Sequence, residues 1–561
     1  MGSNEQHAIP YYDANIVERI WTKDATLWST EQSRVDIIRG RLGWLESPHW
    51  LRNHVDDLRQ RVNRIQDLKW KRVVLIGMGG SSLAPAVLAR ISANRSMASK
   101  YPRFEILDST HPDMVRKMTE KENLDDTLFL VSSKSGTTLE VTALLSYVAS
   151  LLSRNVTPGG NGQHFVAITD SGTPLEVLAK EKGFLDCFVN PPDVGGRFSA
   201  LTYYGMVPAE MLGFDLDQIL ASAERQALVC QTRNPRKNKV FNFGWNIGSQ
   251  AINGRNKLTL ILSSEIEPIG VWIEQLLAES TGKDGRSIFP IIDEPIFRPD
   301  YYAKDRVFSA ILSPSDRVLE THCRKLELAE FPVFSSILES EDAHEIGGEF
   351  FRWEFATAVA GVVLGIDPFD QPDVQRSKDA TVMFLGGERI LEKDVLTPCI
   401  CDGGLTLIGN PAQFKSMTYM PEGLSQLFRT HSHGDYVSIL SWLEESETIR
   451  ELLDTIRVYI RTSLRLPVTL EFGPRYLHST GQLHKGDSNA GIFIQVVAEA
   501  KDNLSIPDYK YSFIDLHRAQ ADADLTVLSD LGRRVARINL GHDVTKGLMD
   551  LAAAFSCALS R

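Results

Sequence analysis

The stretch "VSSKSGTTLE", residues 131–140, follows the apolar run "TLFLV" and offers Ser133, Ser135, Thr137 and Thr138 around Gly136, with Lys134 among them. A helix start needs one serine or threonine as its cap. Four hydroxyls, a glycine that frees the backbone and one cation instead suit a phosphate monoester, which takes many hydrogen bonds and a positive charge. A cap combined with a serine/threonine turn is the competing reading, and Lys134 then faces solvent. A second loop of the same kind, "GMGGSSLAP", places Gly77, Gly79 and Gly80 where backbone amides can approach an anion, followed by Ser81 and Ser82 where a helix begins. Its spacing matches neither the dinucleotide fingerprint nor the P-loop. Two such loops on neighbouring strands can grip one phosphate.

Two further segments carry charge of the kind that moves protons. "DVGGRFSALTYYG", residues 193–205, sets Arg197 behind two glycines. A guanidinium keeps its charge and donates in a fixed fork, so it can stand beside developing negative charge as well as serve as a surface ion-pair partner. "WIEQLLAESTGKDG" reads as a helix ended by Gly282, with Glu274, Gln275 and Glu279 on it. A helical glutamate normally faces solvent, but Glu279 follows an apolar-faced segment and can instead sit at the edge of a cleft as a candidate general base.

Parallel α/β architecture has to position these loops, since open parallel sheets bind ligands beyond the carboxyl ends of their strands. From Lys71 the chain alternates short β-rich runs with amphipathic ones: "RVVLIGMG" before "SLAPAVLARI", "TLFLVSS" before "TLEVTALLSYVASLL", "HFVAITD" before "PLEVLAKE". A second set runs from "KLTLILSS" to "EFFRWEFATAVAGVVLG", whose aromatics fit a helical core face. After a polar, Gly- and Pro-containing stretch near 385–425 comes a third, from "YVSILSWL" to "KGLMDLAAAFSCAL". The expected fold is α/β: two tandem doubly wound parallel-sheet subdomains plus a C-terminal α/β domain. The expected boundaries are a helical segment at 1–70, subdomains at 71–230 and 231–390, and the last domain at 391–561.

A chain of 561 residues exceeds one core and calls for several domains. Its net charge is −12, with no basic stripe to follow a nucleic acid or an anionic membrane, so the expected ligand is a small anion met by a few local cations. Neither a secretory signal nor an 18-residue apolar window is present, and the six cysteines are scattered, which together point to a cytoplasmic protein with reduced thiols. Cys399 and Cys401 have no second pair to make a zinc site, and His431 and His433 in "THSHGDY" make one pair only. No metal or cofactor is expected.

These motifs, in this order, resemble those of glucose-6-phosphate isomerases, whose sugar-isomerase (SIS) subdomains are doubly wound sheets. "GMGGSSLAP", "SSKSGTTLE", "VGGRFS", "QLLAESTGK" and "DPFDQPDVQRSK" span roughly residues 60–385. The resemblance implies interconversion of glucose 6-phosphate and fructose 6-phosphate by ring opening and proton transfer through a cis-enediol. It implies that Gly80, Ser81, Ser133, Lys134, Ser135 and Thr138 hold the phosphate, that Gln275 contacts substrate, that Arg197 stabilises the enediolate, that Glu279 moves the proton and that Lys378 assists ring opening. Isomerisation of another sugar phosphate, such as mannose 6-phosphate, and a non-catalytic sugar-phosphate sensor are the alternatives.

One departure stands out. The family's ring-opening histidine lies between its glutamate and its lysine, whereas here "YLHSTGQLHKGD", residues 476–487, follows both. The C-terminal domain is therefore expected to deliver His478, with His484 as second candidate. A histidine supplied within the chain permits a monomer, against the family's common homodimer. The same segment resembles the isomerase half of bifunctional transaldolase/glucose-6-phosphate isomerase proteins. No (β/α)₈ region precedes it, so isomerase activity without transaldolase activity is expected.

Overall fold

The computed structural model describes residues 15–93, 100–119, 124–155, 161–387, 396–500 and 502–560. Its strands form three sheets. The first holds β1 (Arg72–Gly77), β2 (Arg103–Leu107), β3 (Thr127–Ser132), β4 (Phe165–Asp170) and β5 (Asp186–Asn190), all parallel, in the order β2-β1-β3-β4-β5. The second holds β6 (Lys257–Leu262), β7 (Phe289–Ile291), β8 (Arg306–Leu312) and β9 (Val333–Ile337), parallel in the order β7-β6-β8-β9. β1 and β3 are buried along their whole length, which explains their unbroken apolar runs: helices cover both faces of a parallel sheet.

The third sheet holds β10 (Thr397–Asp402), β11 (Leu405–Gly409), β12 (Tyr436–Ser441), β13 (Val468–Phe472), β14 (Gly491–Val497) and β15 (Arg534–Asn539). Its order is β10-β11-β15-β14-β12-β13. Parallel pairing joins β13, β12, β14 and β15, while β11 and β10 add an antiparallel ribbon at one edge. Numbered within their own units, the parallel strands of all three sheets run second, first, third, fourth. The C-terminal part is thus a third doubly wound unit, where the sequence led only to an α/β domain of unspecified strand order.

N-terminal helices, the first two sheets and the long helix Ile346–Leu364 share one core, in which Trp44 packs on Phe198 and Phe351. The third unit has its own core, built on the helices Glu447–Leu464 and Val544–Leu559. It docks on both others. Tyr436, Tyr476 and Leu483 pack against Ala278, Phe289 and Ile291 of the second unit, and Leu504, Ile506, Phe513 and Leu516 join the core that the first sheet makes with the helix Leu139–Asn155. This second contact brings the third unit across the carboxyl ends of the first sheet. Among the described residues no helix is long and apolar enough to cross a membrane.

Candidate active site

The glycine- and hydroxyl-rich loops lie at the carboxyl ends of their strands, and together they surround a cavity of about 490 Å³. β1 runs into a tight turn, Gly79–Ser81, and then the helix Leu83–Ala93. Gly80 has a steric reason to be glycine: a Cβ there would strike the carbonyl of Gly196, so the first loop and the Arg197 loop touch backbone to backbone. Gly80 and Ser81 both line the cavity.

Beyond β3, Gly136 takes φ +67°, a left-handed conformation that costs glycine little. The hydroxyls of this loop are partly spent on the loop itself. Ser133 Oγ accepts from the Gly136 amide at 3.2 Å and lies 3.1 Å from Thr138 Oγ1, while Ser135 Oγ accepts from the amide and hydroxyl of Thr137. Ser135 and Thr138 line the cavity; Ser133 is buried beneath the loop and does not. Its place there is to shape the turn, so the expectation that Ser133 holds the phosphate directly finds no support in this geometry. Lys134 points neither freely to solvent nor loosely into the cavity: its ammonium pairs with Asp170 at the end of β4. Burial raises the Asp170 carboxyl, with Lys134 and the Tyr204 hydroxyl acting against that shift. The lysine is thereby held over the cavity.

Gln275 and Glu279 sit one turn apart on the helix Gly270–Thr281 and face the same way. Gln275 Nε2 donates to the His478 carbonyl at 2.8 Å and to Glu279 Oε2 at 3.3 Å. Glu279 Oε1 lies 3.4 Å from Arg197 Nη1. Removal from water raises the Glu279 carboxyl, and Arg197, His478, Lys283 and Lys378 offset this only in part. A buried carboxylate with a raised pKa beside several cations has the profile of a proton-transfer group.

Arg197 is fixed by a full set of acceptors: Ser280 Oγ at 2.7 Å, Gln371 Oε1 at 3.0 Å, and the carbonyls of Pro368 and Asp370 at 2.7 and 2.8 Å. Nearby, Lys283 Nζ donates to Asp370 Oδ1 and to the carbonyls of Asp367 and Asp370. Burial and Arg197 push Lys283 down to about 8. Both cations tie the segment before the helix Pro372–Leu385 to the helix of Glu279, and Lys378 reaches the cavity from the former.

The third unit completes the wall. The turn Arg475–His478, after β13, lays His478 against the cavity, where Nε2 lies 2.9 Å from Glu140 Oε1. Burial favours the neutral Glu140 carboxyl, but His478 and Lys378 outweigh it and hold the group below the ordinary range. Gln520 Nε2 donates to the same Glu140 oxygen at 2.7 Å. His484, the second candidate, is fully buried inside the third unit with Nε2 3.3 Å from Glu471 Oε1, and does not reach the cavity. Gln482 of the same motif brackets the start of the Lys378 helix: its Oε1 accepts from the Asp373 amide and its Nε2 donates to Asp373 Oδ2.

Of the eleven site residues and one alternative read from the sequence, the structure brings Gly80, Ser81, Lys134, Ser135, Thr138, Arg197, Gln275, Glu279, Lys378 and His478 to one cavity, leaving out Ser133 and His484. Sequence reading missed Asp170, Gln371 and Arg41 in the lining, and Glu140, Gln520 and Lys283 behind it. Asp170 had a signal, an acid at the very end of a strand beside a phosphate-type loop. Glu140 and Gln520 had none, because their partners lie hundreds of residues away.

The model of the family described as phosphoglucose isomerase matches residues 55–286. Glucose-6-phosphate isomerase of Carboxydothermus hydrogenoformans is 25% identical over 410 residues, covering 63% of this chain and 87% of that protein. The Campylobacter jejuni glucose-6-phosphate isomerase is 28% identical over 354 residues, 56% of this chain and 85% of that one. Among solved structures, a hypothetical protein from Thermus thermophilus superposes with TM-score 0.55 at 23% identity, over 67% of this chain and 98% of its own. A glucose-6-phosphate isomerase from Chlamydia trachomatis superposes with TM-score 0.52 at 20% identity, over 67% of this chain and 79% of its own. In both superpositions about a third of this chain has no counterpart.

Proposed function

We propose that this chain, which matches the phosphoglucose isomerase family over residues 55–286, interconverts glucose 6-phosphate and fructose 6-phosphate with its own residues. The observation that carries the proposal is the placement of Glu279: a buried carboxylate with raised pKa, 3.4 Å from a fully anchored guanidinium, across one cavity from the hydroxyl loops. The phosphate is held by the backbone at Gly80, the hydroxyls of Ser81, Ser135 and Thr138, and the Lys134 ammonium. Ser133 and Asp170 act through these groups, by fixing the loop and the lysine.

With the phosphate gripped, His478 and Lys378 face the sugar ring. Ring opening needs a proton delivered to the ring oxygen and one withdrawn from the C1 hydroxyl. His478, whose imidazole is oriented by Glu140, moves a proton at this step, with the Lys378 ammonium assisting. Glu279 then removes the proton from C2 of the open aldose, the electron pair flows into the cis-enediol, and the same carboxyl returns the proton to C1. One base on one face serves both transfers. The negative charge that grows on the enediol oxygens is met by Arg197, which needs no reorganisation because its other nitrogens are already committed.

Incubation of the purified chain with fructose 6-phosphate, with glucose 6-phosphate and mannose 6-phosphate resolved as products, tests the reading. Glucose 6-phosphate is expected as the product; mannose 6-phosphate in its place would move the assignment to another isomerase.

The ring-opening histidine comes from the chain's own third unit, so a single chain carries a complete site. The working enzyme is a monomer-competent cytoplasmic protein, a reading that six free cysteines support. His478→Ala is expected to slow turnover of the cyclic substrate by roughly 10²-fold, the contribution of one positioned acid–base group. Mixing it with Glu279→Gln is expected to restore nothing, since each chain keeps its own defect. Recovery of activity in the mixture would show that the histidine crosses between subunits.

A further inference from the structure

The third unit gives the catalytic cavity more than a histidine. Its helix Phe513–Asp530 opens with a capping box, Ser512 with Asp515, and carries Gln520 against the first unit. Gln520 is only 3% exposed, and a buried amide has to place both of its ends on partners. Nε2 donates to Glu140 Oε1 at 2.7 Å, the same oxygen that lies 2.9 Å from His478 Nε2. At the other end, Oε1 accepts from the Thr110 hydroxyl at 2.9 Å, in the loop after β2. The helix of Gln520 also packs on the helix of Lys378, where Ala380 shares a cluster with Ala523 and Val527.

Charge decides which way this amide faces. An ionised carboxylate only accepts, so the NH₂ end has to meet Glu140, and the Thr110 hydroxyl then serves the carbonyl end. In return the amide places a donor on a carboxyl that burial alone would drive neutral. Glu140 stands in the first turn of the helix Leu139–Asn155, an end that also favours negative charge. The titratable groups around it are His478 from the turn after β13, Lys378 from the helix Pro372–Leu385, and Tyr511 just ahead of the Gln520 helix. Beyond Thr110, burial lowers His517 to about 3 and His111 to about 4, so neither supplies a charge near neutral pH. Gln520 and Glu140 line a chamber of about 410 Å³ that shares Ser135, Thr138, Lys378 and His478 with the catalytic cavity, which places the amide beside the reacting groups and not in a closed core.

From this arrangement we propose that Gln520 is a positioning residue for ring opening: its amide fixes the Glu140 carboxylate, and through it the imidazole of His478. The inference rests on the reading of His478 as the group that moves a proton at that step. With Oε1 held from one side by the amide, the carboxylate keeps a fixed direction for His478. Because it only accepts, Nε2 of His478 carries a hydrogen, and Nδ1 is the nitrogen left to exchange a proton with the sugar. Without the amide the carboxylate is free to turn or to take up a proton, and the imidazole loses its fixed tautomer. Gln520 lies outside residues 55–286, so this support comes from the third unit and not from the segment that matches the family model.

The test compares the full chain with Gln520→Leu and Gln520→Glu, each also made in His478→Ala. Gln520→Leu keeps the volume and removes the donor. Its kcat on cyclic glucose 6-phosphate is expected to fall about tenfold or more, the worth of one hydrogen bond to a charged group, with KM kept. In His478→Ala the same change is expected to cost nothing further, because the amide acts only through the imidazole. In Gln520→Glu the introduced carboxyl donates to Glu140 when protonated, as the amide does, and sets a second negative charge against it when ionised. Its rate, taken as a ratio to the parent at each pH, is expected to be near parental at low pH and to fall as pH rises. Where Gln520→Leu fails to fold, this ratio carries the test. Equal losses with and without His478, or a ratio for Gln520→Glu that is flat with pH, overturn the inference. In the ligand-free chain, carbon NMR on labelled glutamate is expected to show Glu140 titrating higher in Gln520→Leu. That titration needs no turnover: an inactive parent whose Glu140 still responds to Gln520 counts against the isomerase reading, and an active parent whose Glu140 does not respond counts against this one.

Discussion

Replacing Glu279 by Gln is expected to lower kcat for isomerisation by roughly 10²–10⁴-fold, the span that a positioned general base contributes, while leaving KM near its original value. The substitution keeps shape and volume on the helix Gly270–Thr281, so the loss reports on the proton. Exchange of the C2 hydrogen with solvent deuterium is expected to fall in step with kcat. A variant that retained exchange would move the base elsewhere. The pH profile follows from the same group. Burial raises its pKa, and Arg197, His478, Lys283 and Lys378 facing it compensate only partly. Because the carboxylate is the working form, activity is present above the folded pKa and lost as pH falls through it. The acid limb therefore lies above the range of an ordinary glutamate.

The second large effect concerns the seat of the third unit. Glu294, in the second unit, takes Arg306 in a two-pronged contact at 2.8 Å on each oxygen, and receives Arg461 Nε from the third unit at 2.7 Å. All three side chains are at most 2% exposed. Burial raises the Glu294 carboxyl, yet the two guanidinium groups outweigh it and leave the pKa below the usual carboxylate value. Glu294→Ala strands two buried cations, and a cost of about 3–5 kcal/mol is expected. Urea unfolding measures it as a lowered midpoint. The sign with pH is fixed by the depressed folded pKa: this contribution is fully present above the unfolded carboxylate pKa and is lost as pH falls through the folded one. His478 is expected to suffer with it, since the docked third unit holds that residue at the cavity. A variant with unchanged urea midpoint would show that apolar docking through Tyr436 and Phe289, whose rings lie 4.0 Å apart, suffices alone.

Much of this architecture was legible locally. Continuous apolar strands alternating with amphipathic helices announced parallel sheets, and hydroxyl- or glycine-rich loops after β1 and β3 marked the strand ends where the cavity lies. The ribbon of β10 and β11 went unread inside a stretch taken as polar, although Gly403 and Gly404, both at positive φ, are the two-residue turn that marks a hairpin. The helix Phe513–Asp530 was missed as well. Its capping box, Ser512 with Asp515, was available in the sequence, but it buries His517, Gln520 and Asp524, so its pattern of polar residues misreports the buried face.

What the sequence determined by itself is the set of chemical groups and their local frames: which strand ends in which loop, which helix carries Gln275 and Glu279, and where Arg197 and Lys378 fall. Periodicity and turn chemistry act over a few residues, and these facts are of that range. Tertiary structure alone decided that His478 rather than His484 faces the cavity, that Ser133 lies beneath the loop, and that Glu140 and Gln520 stand behind His478. Those outcomes depend on how the third unit docks, through Glu294 with Arg461 and through Tyr436 with Phe289, between residues more than a hundred positions apart. Local spacing carries no record of such contacts, because burial and charge pairing are settled only when the units meet.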